Sequence, residues 1–520
     1  MKYKLSTLVL IAAICYSCTS GKNGSEIKTS SYQEQFRPQY HFSPEKMWTN
    51  DPNGLVFNDG EYHLFYQYYP DSTIWGPMHW GHAVSPDMIH WKHLPVALFP
   101  DSLGYIFSGS AVADAKNTSG LGTPENPPLV AIFTYHDPIG EKNGSQKFQN
   151  EGLAFSRDKG RTWTKYQGNP VLKNPGIRDF RDPKVFWHNE SGKWIMILAV
   201  NDRVHLYSSL NLLDWTFLSE FGQGIGAHGG VWECPDLFRI KVKGTNVMKW
   251  VMLVSINPGG PNGGSATQYF VGNFDGTHFI KENKEIQWVD WGRDNYAGVT
   301  WSNVPESDGR RLFLGWMSNW QYANVVPTHV WRSAMTVPRE LALIYKDEGY
   351  LLVSNPVREL ESLRTEKTQL YEELHGSETV REVFIDSINL SQCELIFDYE
   401  QLSNSVDSLG IILENSALEK LIIGYSYKQK QLFVDRTVAG PSGFSEAFSG
   451  ISKAPYKAGK EIVFHILIDA SSVELFVDHG NRVLTNLDFP TSGFNQLKIF
   501  SSGGKVITKK AEFHNLNRIW

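Results

Sequence analysis

The residues best placed to do chemistry are three carboxylates, each next to or near a proline and each at the edge of an apolar run. Asp51 lies in Trp48-Thr-Asn-Asp-Pro-Asn-Gly54, Asp182 in Phe180-Arg-Asp-Pro-Lys184, and Glu233 in Trp232-Glu-Cys-Pro-Asp236. A following proline biases Asp51 and Asp182 toward an extended backbone, as at a strand entrance. Arg181 precedes Asp182, and a neighbouring guanidinium favours an ionised carboxylate. Glu233 sits between Trp232 and Cys234; apolar neighbours favour the protonated form that a proton donor needs. Each cluster alone also has a plain structural reading: a turn at Asp51, a surface ion pair at Asp182, a Glu paired inside a sheet at Glu233. Gathered at one point, they match the paired carboxylates that flank a bond in glycoside hydrolysis, one acid donating a proton while another attacks or activates water.

Gathering them is the task of the surrounding elements. Short apolar or alternating runs such as 54–69, 128–135, 194–200, 250–256 and 311–316 are separated by turn residues, which reads as strand after strand. No sustained helical period occurs before about residue 355. The segments Ser85 to Trp91, Ser156 to Trp163, Ser208 to Trp215 and Asn273 to Phe279 each carry a Ser or Asn, a turn and an aromatic, with starts 71, 52 and 65 residues apart. That spacing suits one four-stranded sheet per repeat, and with the closing region 312–339 it predicts a β-propeller of about five blades. A propeller collects the inner strands around one axis, which could bring the three acids into one funnel. A composition change after Glu340 predicts a linker over 346–374, containing a short helix or charged segment from Val357. Regular alternation from 375 to the end then predicts a β-sandwich that packs on the propeller.

The composition fits a neutral, polyhydroxylated ligand. The 49 Lys+Arg and 55 Asp+Glu leave a net charge of -6 without a basic block for nucleic acid or an anionic membrane. Aromatics reach 13 %, with 17 Trp, enough to wall a polar cleft as well as fill a core. Lys2 and Lys4, the apolar run 5–15 and Ser17 before Cys18 read as an export signal over 1–17, and 18–35 as a flexible tether. The pattern resembles a bacterial lipoprotein signal with Cys18 as the lipidated residue. Cleavage without lipidation is the alternative. Only Cys234 and Cys393 fall in the body of the chain, so no disulfide framework or metal-ligand spacing is present, and the scattered histidines have no paired metal-ligand spacing.

Taken in order, Trp-Thr-Asn-Asp-Pro-Asn-Gly, Arg-Asp-Pro and Glu-Cys-Pro-Asp resemble the signature set of glycoside hydrolase family 32, the invertase, inulinase and levanase family. Trp75 to His82, Phe107 to Ser110, Asp294 to Ala297, Leu314 to Trp320 and Asp469 to Val477 agree with it. The resemblance implies an all-β, five-bladed propeller (36–345) and a C-terminal β-sandwich (375–520), with retention of configuration by double displacement. It implies Asp51 as nucleophile, Glu233 as acid/base and Asp182 as a third acid holding sugar hydroxyls; the two reacting carboxyl groups should lie about 5 to 5.5 Å apart. It further implies a fructose pocket lined by Asn50, Gln67, Trp75, Phe107, Ser108, Arg181, Asp236, Tyr296, Trp316 and Trp320, with no metal or cofactor. The implied activity is hydrolysis of fructosyl linkages in levan, inulin or sucrose by an exported enzyme, lipid-anchored to the outer membrane or otherwise periplasmic or secreted. Exo-action is preferred over an endo-acting levanase, with fructosyl transfer or a non-catalytic fructan-binding lipoprotein as further alternatives. The loops 115–128 and 257–268 are candidates to wall the pocket.

Overall fold

The computed structural model describes residues 32–374, 378–383 and 389–520. The export signal, Cys18 and the tether up to residue 31 lie outside the described residues. At 32 the chain is already packed: the Tyr32 ring stacks on Trp520 at 4.1 Å and its hydroxyl bonds His93 Nε2 at 2.6 Å. The tether expected over 18–35 is therefore corrected at its end.

Five sheets form the N-terminal body, each four antiparallel strands deep from axis to rim; blades 1, 4 and 5 add a two-residue strand, which in blade 1 pairs in parallel. Their inner strands are Met47–Asn58, Tyr105–Ala113, Phe180–His188, Val231–Lys241 and Tyr296–Thr300, which pack side by side in a closed ring. This is the expected five-bladed propeller. The repeated Ser/Asn-turn-aromatic segments are the connections from the third strand to the rim strand of blades 1 to 4. In them a side-chain oxygen of Asp87, Asp158, Asn211 or Asp275 accepts backbone N–H groups a few residues on, an Asx-turn chemistry that explains the repeated residue types.

Each inner strand also carries a β-bulge at the same level. Two residues face one across the sheet at Asn50-Asp51, Phe107-Ser108, Asp182-Pro183, Cys234-Pro235 and Ala297-Gly298. In blades 3, 4 and 5 the first bulge residue has positive φ: Asp182 at 64°, Cys234 at 45° and Ala297 at 53°. A bulge bends its strand and re-aims side chains, so successive residues that a regular strand would send to opposite faces can both reach the axis.

The linker expected over 346–374 is corrected. Asp347 and Glu348, with φ of 50° and 65°, make a hairpin turn, and Gly349–Pro356 is the rim strand of blade 5. The propeller thus runs to 356 rather than 345. A 3₁₀ turn, Arg358–Leu363, leads into Arg364–Leu374, which pairs with Val506–Leu516 as an edge strand of the sandwich. The sandwich consists of two six-stranded sheets that face each other across one aliphatic and aromatic core.

Propeller and sandwich meet through buried charge. Arg339 bonds Asp290 at 2.9 Å and, from the sandwich, Glu474 at 2.5 Å. Arg436 of the sandwich bonds Asp294 at 2.6 Å, and His41 bridges Asp469 at 2.8 Å and Glu474 at 2.9 Å. Asp290 and Asp294 lead directly into the inner strand of blade 5, so the sandwich anchors the approach to Tyr296.

Candidate active site

At the end of the axis where the inner strands begin, the bulges open onto a pocket of about 340 Å³. Asp51, Asp182 and Glu233 all line it, with Asn50, Gln67, Trp75, Phe107, Ser108, Arg181 and Trp320.

Asp51 is held on both oxygens. The Ser108 hydroxyl donates to Oδ2 at 2.6 Å and the Asn50 amide to Oδ1 at 3.0 Å. Asn50 is itself oriented by the Trp48 indole N–H, which donates to its Oδ1 at 2.7 Å and so turns the NH₂ toward Asp51. The Cys234 thiol lies 3.5 Å from Asp51 Oδ2 and 3.7 Å from Asp182 Oδ2, between the two acids. Burial pushes the Asp51 carboxyl above its ordinary range, and the charge of Glu233 adds to this against the Ser108 hydrogen bond.

Asp182 contradicts the expectation of an ionised carboxylate kept charged by its neighbour. Burial lifts it to about 7, with Glu233 and Asp51 adding to the lift, and Arg181 opposes without prevailing. The reason is geometric. Arg181 Nε is 3.9 Å from Asp182, whereas its terminal nitrogens reach Asp179 at 2.6 Å and Glu233 at 3.0 Å. Behind Asp182, its backbone N–H donates to Thr134 Oγ1 at 2.9 Å, and that hydroxyl donates to Glu151 at 2.7 Å. Glu151 is fully buried, and burial pushes its carboxyl well up. A buried carboxyl group, pushed up by burial, thus backs the left-handed residue of the bulge.

Glu233 differs from expectation in its surroundings. Trp232 points away into the blade core, where its indole bonds Ala227, and Glu233 is flanked by polar groups instead. Arg181 takes one oxygen and the Tyr296 hydroxyl donates to the other. Arg181, Glu233 and Tyr296 occupy the same position, one residue before the bulge, in blades 3, 4 and 5.

The aromatic wall consists of Trp75, which meets Phe107 edge-on at 6.0 Å, and Trp320, which stacks over Trp48 at 6.0 Å. Trp316 lies beneath Trp320 with ring centres 4.9 Å apart and is completely buried, so it supports the wall without lining the pocket. Tyr296 is buried too and reaches the site through its hydroxyl. Asp236 does not join the pocket. Beyond the bulge its side chain turns the other way along the axis, where it accepts from the Thr300 N–H at 2.7 Å and pairs with Lys184 at 3.3 Å. Of the two candidate loops, 115–128 joins the opposite ends of its strands and stays away. The loop 257–268 braces the Trp320 segment: Ser265 Oγ accepts from Trp320 N–H at 3.2 Å.

His136, Glu141, Phe148, Gln149 and Asp179 also line the pocket and were missed. His136 stacks on Phe107 at 4.2 Å and lies 3.1 Å from Glu141, which sits on the short helix Pro138–Lys142. Only Asp179 had a local signal, standing two residues before Arg181 on the approach to an extended segment.

Residues 41–356 match the N-terminal domain of glycosyl hydrolases family 32, and 359–517 match the C-terminal domain of the same family. The chain belongs to glycosyl hydrolase family 32. Among relatives of this family 32 enzyme, the levanase of Bacillus subtilis is 46 % identical over 525 residues, covering 100 % of this chain and 76 % of the relative. An extracellular exo-inulinase of Aspergillus ficuum is 39 % identical, covering 94 % and 96 %. The crystal structure of the exo-inulinase from Aspergillus awamori superimposes with a TM-score of 0.86 at 36 % identity, covering 94 % of this chain and all of that one. The β-fructofuranosidase of Schwanniomyces occidentalis, solved with fructosyl-erythritol, gives 0.83 at 31 % identity, covering 94 % and 99 %. The family 32 chain is thus a glycoside hydrolase of propeller-plus-sandwich architecture.

Proposed function

We propose that this family 32 hydrolase is a retaining β-fructofuranosidase that removes single fructose units from the ends of fructans and from sucrose. The observation that carries the reading is the convergence of Asp51, Asp182 and Glu233 on one pocket lined by Trp75, Phe107 and Trp320. Asp51, with both oxygens fixed, attacks the anomeric carbon of a terminal fructosyl unit. Glu233, steadied by Arg181 and Tyr296, protonates the departing oxygen; it then takes a proton from the water that hydrolyses the ester. Asp182 accepts hydroxyls of the same sugar, with Asn50, Gln67 and Arg181 beside it. The carboxyl groups supply nucleophile and proton donor, so the scheme uses no metal or organic cofactor.

Exo-action is favoured by the shape of the site. The pocket is at the small end for ligand sites, and its floor is closed by the bulges and the Lys184–Asp236 pair, which leaves no through-path for a chain. Thin-layer chromatography of early levan and inulin digests tests this: fructose should be the first product, and a ladder of oligosaccharides without fructose would refute exo-action. NMR of the first-formed fructose anomer tests retention.

We infer that the enzyme is exported, supported by the charged-then-apolar start of the chain and by relatives described as extracellular. Lipidation of Cys18 is part of this reading. A Cys18→Ala variant should move from the membrane fraction to the soluble fraction.

A further inference from the structure

The propeller axis has a second mouth. Opposite the pocket just described lies a cavity of about 540 Å³, and an adjoining recess of about 330 Å³ shares His188, Glu190, Arg239 and Trp250 with it. Together they form a groove running outward between blades 3 and 4. A waist with room for only about 10 Å³ separates the two mouths; Lys184, bonded to Thr300 O at 2.5 Å and to Asp236, sits across it. The groove is therefore no extension of the catalytic pocket.

Its lining has two properties that select a ligand. The first is aromatic faces at an open surface. Phe186 and Trp250 meet at 5.5 Å, and Trp187 stands edge-on to Trp194 at 5.2 Å. All of these line the groove, and Phe186, Trp187 and Trp250 are half-buried. Among the described residues, neither the Trp187 nor the Trp250 indole N–H finds an acceptor, so each presents a donor; Lys116 Nζ lies 4.7 Å over one face of the Trp187 ring, which leaves the other face for a ligand. The second property is charge balance. Lys184, Arg239 and Arg311, with Lys116 over the Trp187 ring, are matched by Asp236, Glu190, Glu306 and Asp275, and Arg239 and Glu190 are directly paired at 2.5 Å. A phosphate or other anion gains nothing from such a lining, and charged residues tied to one another still offer hydrogen bonds to a neutral partner. Aromatic faces with balanced polar groups suit the alternating C–H and hydroxyl surface of a sugar.

We propose that this groove is a second, non-catalytic binding site for a neutral fructan segment longer than one sugar unit. This rests on the fructan reading of the active site. The site holds polymer on the enzyme while chain ends are trimmed at the far mouth.

Two measurements on the full chain test it. In native gels containing levan, inulin or dextran, the Asp51→Asn protein should be slowed by fructan and not by dextran. Adding Trp187→Ala and Trp250→Ala should weaken that retardation by about tenfold in apparent Kd. Fructan retardation unchanged by the two substitutions overturns the proposal. Because an Ala variant can lose its fold, indole N–H resonances of the Asp51→Asn protein, assigned through Trp187→Phe and Trp250→Phe, give a second readout. Inulin tetrasaccharide should shift both, and unmoved resonances at saturating sugar overturn the proposal. In the active enzyme, the tryptophan variants should raise KM for polymeric fructan and leave sucrose turnover unchanged. If the parent enzyme releases fructose from neither sucrose nor fructan, the active-site reading fails. If it does and the groove variants behave as the parent, the groove proposal fails alone.

Discussion

The active-site pocket and the propeller–sandwich interface are built from the same material, buried carboxylates with arginine, and they use it in opposite senses. At the interface Asp290 and Glu474 are met by Arg339. Burial alone would raise Asp290 and Glu474, yet the Arg339 guanidinium and several hydrogen bonds overcome it and hold both below their ordinary range. In the pocket, Asp51, Asp182 and Glu233 share one arginine, which is already spread between Asp179 and Glu233, and Asp51 and Asp182 are pushed up. One cluster spends its geometry on holding two domains together. The other leaves Asp51 and Asp182 without a cation of their own, so that burial prevails and their carboxyl groups are perturbed upward, as at functional sites. Asp488 shows that the interface is not uniform: buried with one oxygen unpartnered, it is lifted to about 8.

That contrast can be broken in a graded way. The largest effect should fall on turnover: Asp51→Asn should lower kcat on sucrose by roughly 10⁴-fold or more, with no fall in Tm at pH 7. A large fall in Tm would place Asp51 with the stabilising acids instead. Arg339→Met should do the reverse, removing roughly 3–5 kcal/mol of stability in urea titration because two buried acids lose their partner, while refolded enzyme keeps its KM. A loss below about 1 kcal/mol would mean that the interface charges are as dispensable as surface pairs.

Asp182→Asn separates the two regions by sign. The folded pKa of about 7 lies above the ordinary value of about 3.9, so the folded chain holds a proton that the unfolded chain has released. Stability therefore falls as pH rises from about 4 to 7. Removing the group should lower kcat and raise stability by roughly 1–3 kcal/mol at pH 8, with little gain near pH 4. An equal gain at both pH values would sink the assignment.

The smallest effect belongs to His41, which burial would lower but Asp469 and Glu474 raise to about 9. Its contribution is full below about pH 6.5 and fades as pH rises through 9. The Tm gap between parent and His41→Gln should accordingly narrow by a few degrees from pH 6 to pH 10.

Much of the pocket could be read from residue types, because Asp51, Asp182 and Glu233 announce themselves through neighbouring proline, arginine and tryptophan. Four of the five blades followed from turns whose Asp or Asn caps the same connection, and the fifth from the closing region 312–339. What escaped was set by register. Nothing local in Cys234-Pro-Asp236 says that a bulge ends at Pro235, so Asp236 seemed to belong with Glu233 when it faces the other mouth. The linker expected over 346–374 rested on a composition change after Glu340 and on the charged stretch from Val357, and neither reveals that Asp347 and Glu348 turn a hairpin into a rim strand. His136, Phe148 and Gln149 come to the pocket through long-range pairing of blade 2, which no spacing in the chain reveals. The segments Asp294 to Ala297 and Asp469 to Val477 match family motifs because each bonds across the domain boundary, Asp294 to Arg436 and Asp469 and Glu474 to His41.

The recurrence of a bulge at one level in all five blades makes the axis behave like a dial with five interchangeable settings. Arg181, Glu233 and Tyr296 are three settings of one position, and Asp182, Cys234 and Ala297 are three settings of the next. Hydrogen bonds made by the backbone do not depend on which side chain occupies a setting. Ala297, the chemically silent member, is fully buried at a φ of 53°, so the dial has one setting that packing keeps blank.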